Sequence, residues 1–370
     1  MMDCVKKNRL LWYWISKNEG IGHKTTVMLL NAFHSIEGVY QAKHEELLKL
    51  NLKEEVIGYL NKKYSIEELE NEFDHMKKRG IHFICIEDEE YPEKLKKLYD
   101  APWFLYYRGE LPNDNLPSIA VIGARDCSAY GSDVAYYFSK ELSMLGIQII
   151  SGLARGVDGM AHKGAISCGG KTYGVIGNGL DLCYPRENYG LYQEVNLHGG
   201  ILSEYPIGSK ALPYHFPLRN RIIAALSDGI LVVEAREKSG TLITVDSGLE
   251  QGKDIFALPG KLTDELSKGC NLLIQNGAKL VLSPEDILVE LRNQYSSLLG
   301  VKTNATLLKK EDLTEMEQRV YSLLSYQAIH VEELLVKTDL NQGQLLEALF
   351  ELESKQYVRL ITGQQYIRTL

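Results

Sequence analysis

The chain has 370 residues, 45% of them hydrophobic, enough for one large core with one or two smaller modules. Its net charge of −8 argues against a protein coated by nucleic acid, although a local, focused site remains compatible with it. No apolar run reaches membrane-spanning length, no secretory cleavage site follows the amino terminus, and six scattered cysteines without a C-x-x-C pair fit a cytoplasmic protein without disulfides or bound metal.

The first predicted module is helical and covers residues 1–70. Apolar residues recur there at helical spacing, and a Gly-Ile-Gly turn separates the first two helical segments. Such a turn presents backbone amides to phosphate in helix-hairpin-helix modules, but it also makes a plain tight turn between helices, which is the interpretation we favour. We expect a module of the SAM or helix-hairpin-helix type. The helical segments read LLWYWISK, TTVMLLNAF and HEELLKL.

The second predicted domain, residues 71–293, alternates short β-rich runs with amphipathic segments. Continuous apolar strands joined by helices are typical of a parallel sheet that is covered on both faces. We therefore predict an α/β fold, with an extended Rossmann-like, doubly wound and mainly parallel sheet. The strand segments read IHFICI, FLYY, IAVIGA, IQIIS, TYGVIG, GILSEY, GILVVEA, DIFALPG and KLVLS.

The remainder of the chain is predicted to be a linker and a winged helix. Residues 294–312 lose hydrophobic periodicity, as linkers do. Residues 313–370 contain three helical segments followed by two short strands around Thr-Gly-Gln, which is the layout of a winged helix.

Glycine-rich segments follow the predicted strands. The stretch SGLARGVDGMAH leaves its strand through Gly152 and Gly156, and VIGARDCS leaves another through Gly123. A turn needs only one glycine, so the additional glycines indicate that the backbone closely approaches another group. Helix starts at strand ends present free N–H groups, so several of them in one crevice predict an anion site. The other two strand ends read VIGNGLD and, after LVVEA, REKSGTLIT.

A nicotinamide dinucleotide does not fit this pattern. The first strand–helix turn reads Gly123-Ala124-Arg125 instead of G-x-G-x-x-G, and the next strand ends in Ser151 instead of an acidic residue that would hold a ribose. Phosphates of a mononucleotide or of a nucleic acid fit better, and we expect no cofactor.

Arginines lie at the same predicted edge of the sheet. Arg125 and Arg155 follow strands, and Arg219 and Arg221 open the helix of FPLRNRIIAALSD. A guanidinium group binds phosphate through a planar fork of donors. Phe216, beside these arginines, is a candidate for stacking on a base.

The acidic and histidine side chains nearby do not form a convincing catalytic set. Asp158 and His162 lie four residues apart, but we interpret Asp158 as a helix N-cap and His162 as locally hydrogen-bonded. Glu234 ends a strand, and we favour it as the partner of an arginine over a catalytic carboxylate.

From about residue 80 to 285 the chain resembles the DNA-processing protein A family (DprA, also called Smf). The flanking modules are also similar to that family's, with less specific sequences. The one departure is Ala124, where serine is usual. The segments that carry the resemblance are IAVIGARDCSAYG, SGLARGVDGMAHKGAI, GVIGNGLDLCYPREN, FPLRNRIIAALSD, VVEAREKSGTLITVDSGLEQGKDIFALPG and GCNLLIQNGAKLV.

The resemblance implies a protein without enzymatic activity that binds single-stranded DNA and dimerises through its Rossmann-like domain. It also implies protection of incoming strands in natural transformation and loading of the RecA recombinase. Carried over by motif, Arg125 contacts the DNA backbone, Phe216 and the FPLRNR arginines line the groove, and Ser239–Thr241 offer amides to phosphate. The candidate DNA-binding residues are Gly123, Arg125, Gly152, Arg155, Gly156, Lys210, Phe216, Arg219, Asn220, Arg221, Ser239, Gly240 and Thr241.

Two rival functions remain open. The fold is also related to nucleoside-monophosphate ribohydrolases of the lysine-decarboxylase-like group, whose motif reads PGGxGTxxE. Here EKSGTLIT places Thr244 where that motif has its glutamate, which argues against hydrolysis. The other rival is an adaptor that contacts only proteins through its end modules.

The third helix of the predicted winged helix is acidic. Its sequence, NQGQLLEALFELESKQ, contains Glu347, Glu351 and Glu353 and the single cation Lys355. DNA phosphates repel such a helix from a major groove. Protein contact, or duplex binding through the hairpin with Arg359 and Arg368, are the alternatives.

Overall fold

The computed structural model divides into two compact units, Met1–Leu298 and Leu299–Leu370. Most of the predicted linker, from residue 296 to residue 312, lies outside the described residues. No helix within the described part of the chain is long and apolar enough to cross a membrane. The structure describes residues 4–18, 20–295, 313–325, 328–355 and 357–368.

The first unit contains fourteen of the described helices and nine strands, and the second contains three of each. A 3₁₀ turn, Arg186–Asn188, precedes α10. The helices are α1 (Cys4–Ser16), α2 (His23–Phe33), α3 (Ile36–Gln41), α4 (His44–Leu47), α5 (Glu54–Asn61), α6 (Ile66–Lys78), α7 (Glu93–Lys96), α8 (Ala129–Met144), α9 (Val157–Ser167), α10 (Tyr189–His198), α11 (His215–Leu226), α12 (Gly240–Glu250), α13 (Lys268–Gln275), α14 (Pro284–Gln294), α15 (Glu315–Leu323), α16 (Val331–Thr338) and α17 (Gln342–Ser354). The strands are β1 (His82–Cys85), β2 (Phe104–Gly109), β3 (Ser118–Ile122), β4 (Gln148–Ser151), β5 (Thr172–Ile176), β6 (Gly199–Ser203), β7 (Gly229–Val232), β8 (Asp254–Ala257), β9 (Lys279–Leu280), β10 (Ile329–His330), β11 (Val358–Ile361) and β12 (Gln365–Arg368).

The first unit is built on one sheet with the strand order β1-β2-β6-β5-β4-β3-β7-β8-β9. The strands β3 to β9 pair in parallel, whereas β1 and β2 form an antiparallel extension beside β6. All five residues of β3, Ser118–Ile122, are buried, because helices cover both faces of the sheet. The predicted mainly parallel α/β fold is confirmed.

The chain changes direction at β3. It proceeds outward from β3 through β4, β5 and β6, and then returns to place β7 on the other side of β3. The loops after β3 and β7 therefore leave the sheet side by side at its carboxyl edge, Ile122 being paired with Val232. Such a switch point is the place where open α/β sheets form a ligand crevice.

The amino-terminal helices share their core with the antiparallel end of the sheet. The ring of Tyr13 on α1 lies 5.3 Å from that of Phe73 on α6 and 5.7 Å from that of Phe83 on β1. Tyr106 on β2 packs against Tyr13 as well, at 6.4 Å. Residue 70, where the helical module is predicted to end, lies inside α6. The predicted division of the first unit into a helical module (residues 1–70) and a Rossmann-like domain (residues 71–293) stays a prediction.

The second unit consists of α15, α16 and α17 with a three-stranded antiparallel sheet of order β10-β12-β11. Leu334, Leu349 and Val358 belong to its buried core. The predicted winged helix is confirmed. The short strand β10 was not predicted, since two residues carry no alternation that sequence analysis can detect.

Candidate nucleic-acid interface

A cleft of about 520 Å³ opens at the switch point of the sheet. The loop after β3, the face of α11 and the first turn of α12 bound it. It gathers part of the predicted set, namely Gly123, Arg125, Phe216, Arg219, Asn220 and the turn Ser239–Thr241.

Arg125 and Phe216 form the mouth of the cleft. Arg125 is exposed, and its guanidinium carbon lies 5.4 Å from the centre of the half-buried Phe216 ring. A cation over an aromatic face at this distance is weakly attracted, by about 0.5–1 kcal/mol at an exposed site. Arg125 is thus positioned at the cleft while its fork of donors stays accessible to solvent.

The first turn of α12 forms another wall. Ser239 caps the helix, its Oγ accepting a hydrogen bond from the N–H of Thr241 at 3.1 Å. A Cβ added to Gly240 would meet no atom within 4 Å, so the cleft is open at this point. The partial positive charge of a helix amino terminus faces the cleft here.

The amino terminus of α8, by contrast, already holds a carboxylate. The backbone N–H of Ser128 donates to Oε2 of the buried Glu234 at 2.8 Å, and its hydroxyl donates to Oε1 at 2.5 Å. Ser128 Oγ in turn accepts from the N–H of Gly131 at 3.0 Å. The expectation of an arginine partner for Glu234 is wrong, because Glu234 neutralises a helix terminus of its own chain.

Other parts of the protein pack closely against Gly152 and Gly156 of SGLARGVDGMAH, where a side chain would not fit. A Cβ on Gly152 would lie 2.5 Å from Nη1 of Arg219 and 2.7 Å from Oδ2 of Asp158. Gly156 has φ +70°, and a Cβ there would lie 2.3 Å from the carbonyl oxygen of Ala124. The close approach that this motif indicates is therefore made by the loop after β3 and by a buried arginine.

The strand end VIGNGLD, unlike the other three, does not lead directly into a helix. The side-chain Nδ2 of Asn178 donates to the carbonyl oxygen of Leu182 at 2.8 Å. The backbone N–H of Gly179 donates to the carbonyl oxygen of Ser209 at 3.0 Å. Among the four predicted anion-binding strand ends, the start of α12 is the one that the described structure leaves open to the cleft.

Arg219 lies on the floor of the cleft and is committed to protein atoms. It is 4% exposed, and its Nη1 donates to the carbonyl oxygen of Gly152 at 2.8 Å and to that of Val175. Burial lowers the pKa of Arg219, and the neighbouring Asp158 carboxylate opposes that shift. Arg219 therefore lines the cleft, as predicted, but its Nη1 already donates to strand-end carbonyls, and its contact with DNA stays a prediction.

Three other predicted cations do not line the cleft. Nη2 of Arg221 donates to both carboxylate oxygens of Glu204, at 2.6 and 2.7 Å, and its Nε lies 3.2 Å from Asp100. Arg155 is exposed, with Glu187 at 3.7 Å, and Lys210 is exposed beside the lining residue Ala211. Arg221 therefore lies outside the cleft lining, beside two carboxylates, and its contact with DNA stays a prediction.

Asp158 and His162 lie within α9 and are buried. Gly156 is the N-cap of α9, so Asp158 is not the predicted cap; instead, its Oδ2 accepts from the N–H of Gly152 at 3.1 Å. Burial raises its pKa, which the nearby Arg219 charge opposes. His162 is hydrogen-bonded locally to Thr172, as predicted.

Sequence reasoning missed Tyr184 and Arg236 as cleft residues. Tyr184 is 47% exposed, and its ring lies 5.6 Å from that of Phe216. Arg236 is exposed and lines the cleft two residues after Glu234. The signal for Arg236 was its place after a strand, but Tyr184 lies in the segment CYPREN, which no periodicity connects with Phe216.

Comparison with known proteins matches both units. The family model described as DNA recombination-mediator protein A matches residues 82–292, and the DprA winged helix domain matches residues 305–364. The DNA processing protein DprA of Streptococcus pneumoniae is 46% identical over 222 residues, which are 58% of this chain and 77% of that protein.

Two solved structures are similar to this one. An X-ray structure of S. pneumoniae DprA has a TM-score of 0.64 at 37% identity, and the match covers 75% of this chain and 96% of that one. A structure of DNA processing protein A from Helicobacter pylori, described for its single-stranded DNA binding mode, has a TM-score of 0.53 at 30% identity. That match covers 58% of this chain and 97% of the other.

Proposed function

This chain belongs to the DNA recombination-mediator protein A family, and from that membership we propose that it binds single-stranded DNA in the cleft at the switch point. The H. pylori relative is described for its single-stranded DNA binding mode. Binding is without strong sequence preference, because contacts to phosphate carry no base information.

The observation that carries this proposal is the pairing of an exposed cation with an aromatic ring at the mouth of an open cleft. Arg125 lies over Phe216, and the open start of α12 and the exposed Arg236 lie in the same cleft. Phosphate contacts from arginine and a helix terminus, with stacking of a base on an aromatic ring, are the usual means of binding a single strand.

We test this by measuring the anisotropy of a fluorescent oligothymidine and of a duplex of equal length. The single strand is expected to bind more tightly. Arg125→Ala should weaken its binding and reduce the slope of log K against log salt by about 0.7, the value for one phosphate contact on a single strand. Lys171→Ala, which removes an exposed cation that does not line the cleft, is the matched control. Equal losses in the two variants would place the interface elsewhere.

The cleft supports binding without catalysis. Its lining acids are Asp126 and the buried Asp158, and Thr244, in the position of the hydrolase glutamate, is buried. The related ribohydrolases carry a glutamate at the position of Thr244, and a threonine hydroxyl cannot replace that carboxylate as a general base. Incubation with nucleoside monophosphates and chromatography should therefore show no free base. Release of a base would favour the ribohydrolase alternative.

Beyond binding, we extend the proposal to the protection of incoming strands in natural transformation and to the loading of RecA on them. The protein should accelerate RecA filament formation on strands coated with a single-strand binding protein. We also propose a homodimer through the Rossmann-like domain. Light scattering should then give twice the 41.8 kDa of the chain. A monomer at micromolar concentration would rule out a stable dimer.

A further inference from the structure

We propose that Tyr184 is the surface on which a base of the bound strand stacks, and that Phe216 supports the Tyr184 ring from below. This inference rests on the proposed function. It replaces the expectation, drawn from sequence, that Phe216 itself stacks on the base.

The distance between the two rings excludes a base from the space between them. Their centres lie 5.6 Å apart with an angle of 32° between the planes. Stacked bases are about 3.4 Å apart, so an inserted base would need the rings to be about 7 Å apart. A base therefore stacks on an outer surface of the pair.

Tyr184 is the member of the pair with an outer surface to offer. Its side chain is 47% exposed, whereas Phe216 is half-buried. The guanidinium carbons of Arg125 and Arg219 lie 5.4 and 5.9 Å from the centre of the Phe216 ring. Phe216 thus already contacts protein groups, whereas Tyr184 and Arg125 line the same cleft.

The segment that carries Tyr184 is held in place before any ligand arrives. The hydroxyl of the buried Tyr192 donates to the carbonyl oxygen of Tyr184 at 2.9 Å. Two residues earlier, the carbonyl oxygen of Leu182 accepts a hydrogen bond from the side-chain Nδ2 of Asn178 at 2.8 Å. A ring on a fixed backbone loses little conformational entropy on binding.

The experiment compares Tyr184→Ala and Tyr184→Phe on two strands of equal length, oligothymidine and a fully abasic strand. Tyr184→Ala should weaken binding of oligothymidine by roughly 5- to 150-fold, the range for loss of one stacked base. On the abasic strand it should bind like the wild type, since no base is present to stack. Tyr184→Phe keeps the ring and should restore most of the affinity. Tyr189→Ala, which removes an exposed tyrosine that does not line the cleft, is the control.

A second readout does not depend on removing the ring. Tyr184→Trp should show indole emission that oligothymidine quenches and the abasic strand does not, measured against the wild-type protein with its three tryptophans. Equal loss on both strands in Tyr184→Ala, or unquenched emission in Tyr184→Trp, would overturn the role of Tyr184. Failure of the wild-type protein to bind oligothymidine would instead overturn the proposed function, and this inference with it.

Discussion

Arg125 and Arg219 carry the same side chain in opposite environments. Arg125 is exposed at the mouth of the cleft, and Arg219 is buried below Phe216, where it joins the ends of two strands. An exposed guanidinium is available to a ligand, whereas a buried one that satisfies backbone carbonyls is part of the scaffold. We therefore expect substitution of Arg125 to change DNA affinity and substitution of Arg219 to change the free energy of unfolding.

Arg219→Met should lower the free energy of unfolding by about 3 kcal/mol or more. The substitution leaves two strand-end carbonyls without a donor and the buried Asp158 without its neighbouring cation, and breaking a buried ionic arrangement costs this much. Urea unfolding measures it. Arg125→Met, the matched control, should remain within about 0.5 kcal/mol of the wild type, as surface changes do. If the Arg219→Met protein kept full stability but lost DNA affinity, Arg219 would be a DNA contact and not part of the scaffold.

His162 should make the protein less stable in mild acid. Its Nδ1 donates to Oγ1 of Thr172 at 2.7 Å, because the Thr172 hydroxyl hydrogen is donated to the carbonyl oxygen of Ile149. Burial lowers the pKa of His162 from 6.5 to about 3. Because the folded-state pKa is depressed, the unfolded chain binds the proton first, and stability is full above pH 6.5 and falls as the pH falls toward 3.

The expected loss is roughly 1.4 kcal/mol per pH unit across that window. Unfolding in urea at pH 7.5, 6 and 5 measures it for the wild type and for His162→Gln. The variant should start from a lower stability and show a shallower dependence on pH. Identical slopes would mean that His162 titrates normally.

At the scale of elements, α8, α9 and α12 start after the neighbouring strands β3, β4 and β7, and of these three starts that of α12 is open to a ligand. Glu234 occupies the start of α8, and the N–H of Val157, the first residue of α9, donates to the carbonyl oxygen of Ala124 at 3.2 Å. The start of α12 has its serine cap and an unobstructed Gly240. An internal acceptor satisfies a helix terminus as an external phosphate would, so we expect the starts of α8 and α9 to contribute little to DNA binding.

Alanine substitutions at two glycines should affect stability differently at the packed start of α9 and at the open start of α12. Gly156→Ala places a Cβ 2.3 Å from the carbonyl oxygen of Ala124 at φ +70°, so it should destabilise the protein by more than about 1 kcal/mol. Gly240→Ala meets no atom within 4 Å and gains helix propensity, so thermal unfolding should show no loss of stability. A destabilised Gly240→Ala would show that α12 does not start in the open conformation described.

At the scale of the whole molecule, the surface of the winged helix argues against a role in reading duplex DNA. The exposed face of α17 carries Leu346, Glu347, Phe350 and Glu351, with Phe350 67% exposed. In the wing, the guanidinium of Arg368 donates to the carbonyl oxygen of Tyr321 at 2.6 Å. Neither feature favours phosphate binding, because the helix is anionic and Arg368 is engaged.

Reversing charge on α17 tests this point. Glu347→Lys combined with Glu351→Lys should raise the affinity of the full chain for duplex DNA by about tenfold at low salt, because phosphate repulsion becomes attraction. The same reversal of Glu332 and Glu333, exposed on α16, is the matched control for net charge. Gel shifts at several salt concentrations measure both. Tight duplex binding by the wild type, weakened by the reversal on α17, would show that this helix does read DNA.

The sequence by itself determined the nine strands of the first unit, its mainly parallel sheet, the winged helix and the family. Hydrophobic periodicity is a local property, and right-handed crossovers leave few arrangements for alternating strands and helices. It also placed Arg125, Phe216 and the turn Ser239–Thr241 at one edge of the sheet, since parallel strands end together.

Only the tertiary structure decided which of these groups faces a ligand. Arg219 meets carbonyl oxygens of Gly152 and Val175, Arg221 meets Glu204, and Ser128 meets Glu234. These partners are distant in sequence, and whether a charged group is neutralised internally depends on which residues the fold brings within hydrogen-bonding distance. No local pattern records that outcome, which is why Tyr184 was missed and why the internal partners of Arg219 and Arg221 were not predicted.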